Sequence, residues 1–292
     1  MNLFFQDTML RLIASILLAF WGGYLLTNCL IPPLKKAFSE AGFVRANYRG
    51  QAIPVGMGVS LWGGLFGTMA LLLMVSDVFQ LSWLQEKDLL AVLTVSTGFL
   101  VVGLLDDLAG NRNTTGLLGH IRRWVREGEV TTGFLKAVFG LLLGFLGAYV
   151  SGAQGWRLVL GGLTVALSAN SMNLLDLRPG RACKGVFFSL AVVALVSMRG
   201  LESPAFWLLL GTTLAYFPDD LRARTMMGDA GSNLLGGGVG MLVVLTCSTT
   251  TMAVWLCVLV CLHLYAEKYS ISETIERNRI LRWLDVWGRQ AS

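Results

Sequence analysis

The stretch ALSANSMNLLDLRPGRACK, Ala166 to Lys184, decides how the chain is read. It opens as apolar helix and carries Asn170, Asn173 and Asp176 at steps of three. It then breaks at Pro179, amid Arg178, Arg181 and Lys184. A step of three turns a helix by about 300°, so the two amides and the acid share one third of its circumference. An apolar helix with a polar stripe and a cationic stop suits a membrane boundary that carries a site. Polar side chains also hold membrane helices together, so the stretch alone leaves both readings open.

The rest of the chain supports the membrane. Of 292 residues, 54% are hydrophobic and 14% charged, with a mean hydropathy of +0.64. Soluble domains carry roughly 25% charged residues. Only helices and closed barrels satisfy their backbone within lipid, and apolar runs of about 15 to 22 residues without alternation select helices. The expected class is an all-α, polytopic integral membrane bundle. Nine spans are expected: Met9–Ile31, Val55–Ser76, Asp88–Leu105, Phe134–Val150, Arg157–Leu174, Gly185–Met198, Pro204–Phe217, Ser232–Cys247 and Thr251–Tyr265. The first run exceeds a signal-peptide core and lacks a convincing cleavage site, so it is read as a retained span.

Charge gives the orientation. The segments 32–54, 106–136, 175–184, 218–230 and 267–292 hold 19 of the 23 Lys and Arg residues. The positive-inside rule then sets the N-terminus outside and the C-terminus in the cytoplasm. This asymmetry accounts for the net charge of +5, and no nucleic-acid partner is implied. On the same side lie 13 of the 18 acids, more than topology needs. Residues 1–266 are expected to form the membrane bundle and 267–292 a cytoplasmic amphipathic tail. In that tail Ser270 and Glu273 form a capping-box pattern, and Ile280, Leu284 and Trp287 share a face suited to anionic lipid. GHIRRWVREGEV (119–130) reads as a short interfacial helix. Cys29, Cys183, Cys247, Cys257 and Cys261 show no CxxC spacing and read as free packing thiols.

Three more features converge on the cationic face. VVGLLDDLAG (101–110) ends a span in adjacent Asp106 and Asp107. Two such carboxylates repel each other, and a bound cation relieves the repulsion; a solvated helix end is the plainer account. MMGDAGSNLLGGGVG (226–240) sets Asp229 between glycines at the start of an apolar helix. There it suits a Mg²⁺ that carries phosphate. Gly236 and Gly240 have GxxxG spacing and read as helix packing. Lys136 begins the fourth span, where a snorkelling lysine is the plain account. Hard oxygen ligands suit Mg²⁺ and a diphosphate better than a soft metal. His120 and His263 are the only histidines, and no G-x-S-x-G or Walker A loop is present.

In order, GLLDD, NSMNLLD and MGDAGS, preceded by IPVGMG (53–58), resemble the polyprenyl-phosphate N-acetylhexosamine-1-phosphate transferase superfamily. The resemblance covers roughly Ile53 to Tyr265. It implies transfer of a sugar-1-phosphate from a UDP-sugar to polyprenyl phosphate at the cytoplasmic face of the cell membrane. Products would be polyprenyl-diphospho-sugar and UMP, with Mg²⁺ required, for cell-wall or surface glycan synthesis. It further implies Asp106, Asp107 and Asp176 as catalytic acids and Asn173 and Asp229 as the metal site. Lys136 matches the family's cation, and a homodimer is the family's assembly. Asn170, Arg178, Arg181 and Lys184 are expected to contact substrate, the three cations standing where the family carries a glycine-rich acidic stretch. The last loop lacks the family's His-rich motif, with His263 inside a span, and a tenth helix is missing. A simple UDP-N-acetylhexosamine is therefore the expected donor, rather than a MurNAc-pentapeptide. Two other classes fit part of the pattern. One is a lipid-linked substrate transporter or flippase, whose acids belong nearer mid-membrane. The other is a catalytically silent relative that binds polyprenyl phosphate.

Overall fold

The structure, a computed structural model, describes residues 2–78, 86–109, 123, 125–126, 128 and 130–289. The helices are α1 (Asn2–Glu40), α2 (Gly58–Val78), α3 (Glu86–Ala109), α4 (Thr132–Val150) and α5 (Gly155–Leu175). They continue with α6 (Arg181–Val196), α7 (Met198–Glu202), α8 (Pro204–Leu221), α9 (Gly228–Thr246) and α10 (Thr249–Lys268). The tail adds α11 (Ile271–Arg277) and α12 (Arg279–Val286). Among the described residues six helices are long and apolar enough to cross a membrane: α1 to α5 and α10. The protein is thus an all-α membrane protein. Helices α6, α8 and α9 cover the other three expected stretches but fall short in length or apolarity.

Several boundaries moved for physical reasons. Helix α1 runs through Pro32 and Pro33 to Glu40, well past the expected end at Ile31. Helix α6 starts four residues early, because Gly180 adopts φ +75° and turns the chain straight into it. Helix α4 starts where Thr131 caps it, its side chain accepting the Phe134 N–H at 3.2 Å. The segment 119–130 lies largely outside the described residues.

One element was not anticipated. Val44–Ala46 (β1) and Ala52–Pro54 (β2) form an antiparallel hairpin in which Arg45 faces Ile53. Strands of three residues are too short to show alternation in sequence. Asn47 closes the turn, its side-chain oxygen accepting the N–H groups of Arg49 at 2.8 Å and Gln51 at 3.0 Å.

Helix α9 is the axis of the bundle. It is buried along nearly its whole length and packs chiefly against α5 and α3, with α2, α6 and α8 beside it. Lipid tails are as apolar as leucine, so close backbone contact rather than hydrophobicity drives such packing. Gly236 supplies that contact: a Cβ there would run into the backbone of Ser168 and Ala169 on α5. Both ends of α9 meet a charge that suits its dipole. At the C-terminal end Arg157 donates to the carbonyls of Val244 (2.7 Å) and Cys247 (3.0 Å). At the N-terminal end stands Asp107.

Candidate active site

The site forms where the ends of α3, α5 and α9 meet the first turns of α4. The hairpin sets the register of α9. Met226 N–H donates to the Pro54 carbonyl (2.8 Å), and Met57 and Gly58 donate to the carbonyls of Met226 and Met227 (both 3.1 Å). Gly228 then takes φ +69°, and a side chain at that position would collide with the Asp107 carboxylate. Only glycine meets both demands. The buried Asp107 carboxylate accepts the backbone N–H groups of Asp229 (3.0 Å) and Ala230 (3.1 Å). These are two of the orphan donors at a helix start. Arg45 of the hairpin donates to the Asp107 carbonyl at 3.0 Å and so fixes the end of α3.

This cap aims the Asp229 side chain at Lys136 of α4, with which it forms an ion pair. Asp106 approaches the Asp229 carboxyl and also contacts Thr132. Asn173 completes the group. With its amide turned to suit its neighbours, the oxygen accepts from Lys136 Nζ (2.6 Å). The nitrogen then donates to Asp229 Oδ1 and Ser232 Oγ (both 3.1 Å). Residues 106, 136, 173 and 229, far apart in sequence, thus converge on one cluster. Asn170 lies one turn back on α5, half-buried.

Asp176 follows the end of α5, with its backbone N–H on the Met172 and Asn173 carbonyls (both 3.1 Å). Desolvation, then the negative fields of Asp220, Asp229 and Asp107, push its carboxyl well above the usual carboxylate range. Asp220 was not singled out from sequence, although the Asp219–Asp220 pair after Pro218 mirrors Asp106–Asp107. It is buried and accepts the Gly180 N–H (3.1 Å) and the Cys183 thiol (3.4 Å), which holds the loop after Asp176 from beneath.

The loop cations have a partner that sequence did not reveal. The C-terminal tail folds back over them. Arg181 Nε donates to Asp285 Oδ1 (2.8 Å) and Nη2 to Oδ2 (3.0 Å), while Nη1 reaches Ser272 Oγ (2.9 Å). Lys184 Nζ donates to the carbonyls of Leu284 (2.9 Å), Asp285 and Trp287 (both 2.8 Å). These carbonyls end α12, where a cation is favoured. Arg289 donates to the Pro179 carbonyl at 2.8 Å and also pairs with Asp285 at 2.7 Å. Arg178 lies 3.6 Å from Glu276 and stays 40% exposed. Burial alone would raise the Asp285 carboxyl, but Arg181 and Arg289 outweigh it and hold the group below the usual range. Burial and the nearby Arg289 lower Lys184.

A divalent cation fits the cluster by its chemistry. Carboxyl against carboxyl at Asp106 and Asp229, with Asp107 and Asp176 in the same field, leaves Lys136 to balance several negative charges. The oxygens of Asp106, Asp229 and Asn173 are the hard donors that Mg²⁺ prefers. Among the described residues no group of three His, Cys, Asp or Glu side chains is arranged around one metal position. Any such site therefore draws on the asparagine or on a substrate oxygen. His263 stays within α10, with Nδ1 2.7 Å from the Leu259 carbonyl, and takes no part. All five cysteines are free.

Fold and site together describe a membrane-embedded helical protein with an acidic, lysine-balanced centre at one end of its bundle. Comparison with known proteins narrows the class. No family model matches the chain. It is 31% identical over 204 residues to a phospho-N-acetylmuramoyl-pentapeptide-transferase of Desulforudis audaxviator, covering 62% of this chain and 60% of that protein. It is 28% identical over 202 residues to the protein of the same name from Thermotoga neapolitana, covering 68% and 66%. The chain thus spans less than two thirds of the length of each relative. These matches bear out the resemblance to the polyprenyl-phosphate N-acetylhexosamine-1-phosphate transferase superfamily.

Proposed function

We propose that the protein transfers an N-acetylhexosamine-1-phosphate from a UDP-sugar to polyprenyl phosphate, with release of UMP. The observation that carries this reading is the convergence of Asp106, Lys136, Asn173 and Asp229 from four helices onto one cluster. The similarity to two transferases supports the reaction class. We further propose that all nine long helices span the membrane, that the N-terminus lies outside, and that the site faces the cytoplasm. The charge asymmetry of the loops supports that orientation.

In this reading an oxygen of the lipid phosphate attacks the phosphorus that carries the sugar. The bond from that phosphorus to the bridging oxygen breaks, and UMP leaves with the electron pair. The acceptor is already an anion and needs little activation. The barrier is repulsion between anions and charge gathering on the leaving group. Asp229 with Asn173 would hold Mg²⁺, which would supply charge neutralisation for the diphosphate. Lys136 releases Asp229 and turns to a phosphate oxygen. Asp106 and Asp176 stand ready to take a proton from a protonated acceptor. Asp107 keeps Asp229 in place through the α9 cap. Arg178, whose pair with Glu276 is at 3.6 Å and leaves it 40% exposed, turns to the donor, whereas Arg181 and Lys184 grip the tail. Direct attack is preferred to a covalent enzyme adduct, since the nucleophile is already present; a kinetically competent phospho-sugar enzyme would overturn that preference.

The test supplies purified protein with undecaprenyl phosphate, Mg²⁺ and a panel of UDP-sugars, and measures UMP. Release with a UDP-N-acetylhexosamine is expected, and Asp229→Asn should abolish it while folding is kept. No release with any donor would favour a silent relative that binds polyprenyl phosphate.

A further inference from the structure

Helix α12 has two faces with different occupants. The inner face is filled: Asp285 and the helix-end carbonyls hold Arg181 and Lys184, and Gly288 rests against Leu221. The outer face carries Ile280, Trp283, Leu284 and Trp287, with Ile280 70% and Trp283 64% exposed. Arg279 and Arg282 flank the two tryptophans, and together with Val286 they line a cavity of about 480 Å³. The only acid of α12, Asp285, points inward to its arginines. The outer face is therefore aromatic, apolar and purely cationic. It also follows a membrane-spanning helix, α10, with only α11 between them.

We infer that the outer face of α12 docks on an anionic phospholipid surface and transmits that contact to the loop that follows Asp176. Indole rings favour the headgroup level of a bilayer, and guanidinium groups favour anionic lipid phosphates. A second protein partner would have to match an all-cationic rim with acids. Anionic headgroups of the leaflet that α10 enters would supply that negative charge. The inner face turns this contact into order at the loop. Arg181–Asp285 and Arg289–Pro179 tie residues 179–184 to whatever position α12 takes. The inference concerns binding and does not depend on the transferase reading.

The test uses the full chain in nanodiscs of brominated phosphatidylcholine alone or of phosphatidylcholine with brominated phosphatidylglycerol. Trp283→Phe/Trp287→Phe isolates the tail's share of bromine quenching from the other tryptophans. Wild type is expected to show an added quenched fraction in phosphatidylglycerol that the double variant lacks. Arg279→Glu/Arg282→Glu should reduce that fraction several-fold. Equal quenching in brominated phosphatidylcholine, or no difference between wild type and the double variant, overturns the docking. Inter-protomer disulfides at Leu284→Cys without quenching would assign the face to a second copy and overturn it too. Hydrogen exchange of residues 177–184 reads the coupling. It should slow severalfold with phosphatidylglycerol in wild type and stay unresponsive in Asp285→Asn. Exchange indifferent to lipid in wild type overturns the transmission.

Discussion

The side chain of Asp107 holds the main chain of Asp229: its carboxylate accepts the Asp229 N–H at 3.0 Å and that of the next residue at 3.1 Å. Adjacent in sequence, Asp106 and Asp107 therefore do different things. Asp106 meets the Asp229 carboxyl, whereas Asp107 sets where Asp229 stands.

Loss of the cap should cost stability first. Asp107→Ala removes both acceptors from the start of α9, a loss of about 1 kcal/mol for a typical helix cap, and should lower the detergent-phase unfolding midpoint. Asp107→Asn keeps one acceptor oxygen and should fall between. It should also retain more UMP release than Asp229→Asn. An Asp107→Asn protein with a normal midpoint and no turnover would instead place the charge itself in the chemistry.

Lys136→Met should leave a folded protein that is about 100-fold or more slower, the scale seen when one electrostatic stabiliser is removed from an active site. Steady-state UMP release alongside the unfolding midpoint checks this. Lys136→Arg should recover only part of the rate, since a planar fork replaces a compact point charge.

Asp176 should show opposite signs in activity and stability. Its carboxyl is raised by desolvation and by Asp220, Asp229 and Asp107, so the fold disfavours its ionised form. The rate should rise with pH through that raised value, where the carboxylate appears. Stability should fall as pH rises from the ordinary aspartate value of about 3.9 to that raised value, because the unfolded chain ionises first. Asp176→Asn is expected to abolish turnover yet raise the unfolding midpoint at neutral pH. A lower midpoint would contradict the strain.

The tail clamp should fail in acid. Arg181 and Arg289 hold the Asp285 carboxyl below its usual range. Its contribution is therefore fully present above the ordinary aspartate value of about 3.9 and lost as pH falls through the lowered folded value. Limited proteolysis near Asn278 should stay slow from neutrality to about pH 4 and quicken below it. Arg181→Ala should quicken it at neutral pH as well.

Much of this was legible in sequence because lipid simplifies the code. Long apolar runs announced the helices, and Asp106, Asn173 and Asp229, picked out near helix ends, lie together in the structure. The remainder depended on contacts with no local signature. The Arg45–Asp107 bond spans 62 residues and begins in a strand too short to show a period. The partners of Arg181 and Lys184 lie about a hundred residues downstream. Positive loop residues already have a sufficient explanation in topology, so nothing in the loop pointed to Asp285. Asp220 was visible as half of an acid pair, but only packing showed that it carries Gly180 and Cys183.

The separation between Arg181 and Asp285 also fixes an order of events. Synthesis runs from the N-terminus, so the loop cations leave the ribosome 104 residues before their carboxylate exists. In the proposed orientation they have no carboxylate partner from the tail while α6 to α10 insert, and positive loop residues favour the cytoplasmic side. Only once the tail emerges do they become ligands within the protein. In that orientation the same side chains serve first as a topological signal and then as a latch, and the loop beside Asp176 gains its tail contacts only when the C-terminal residues have been made.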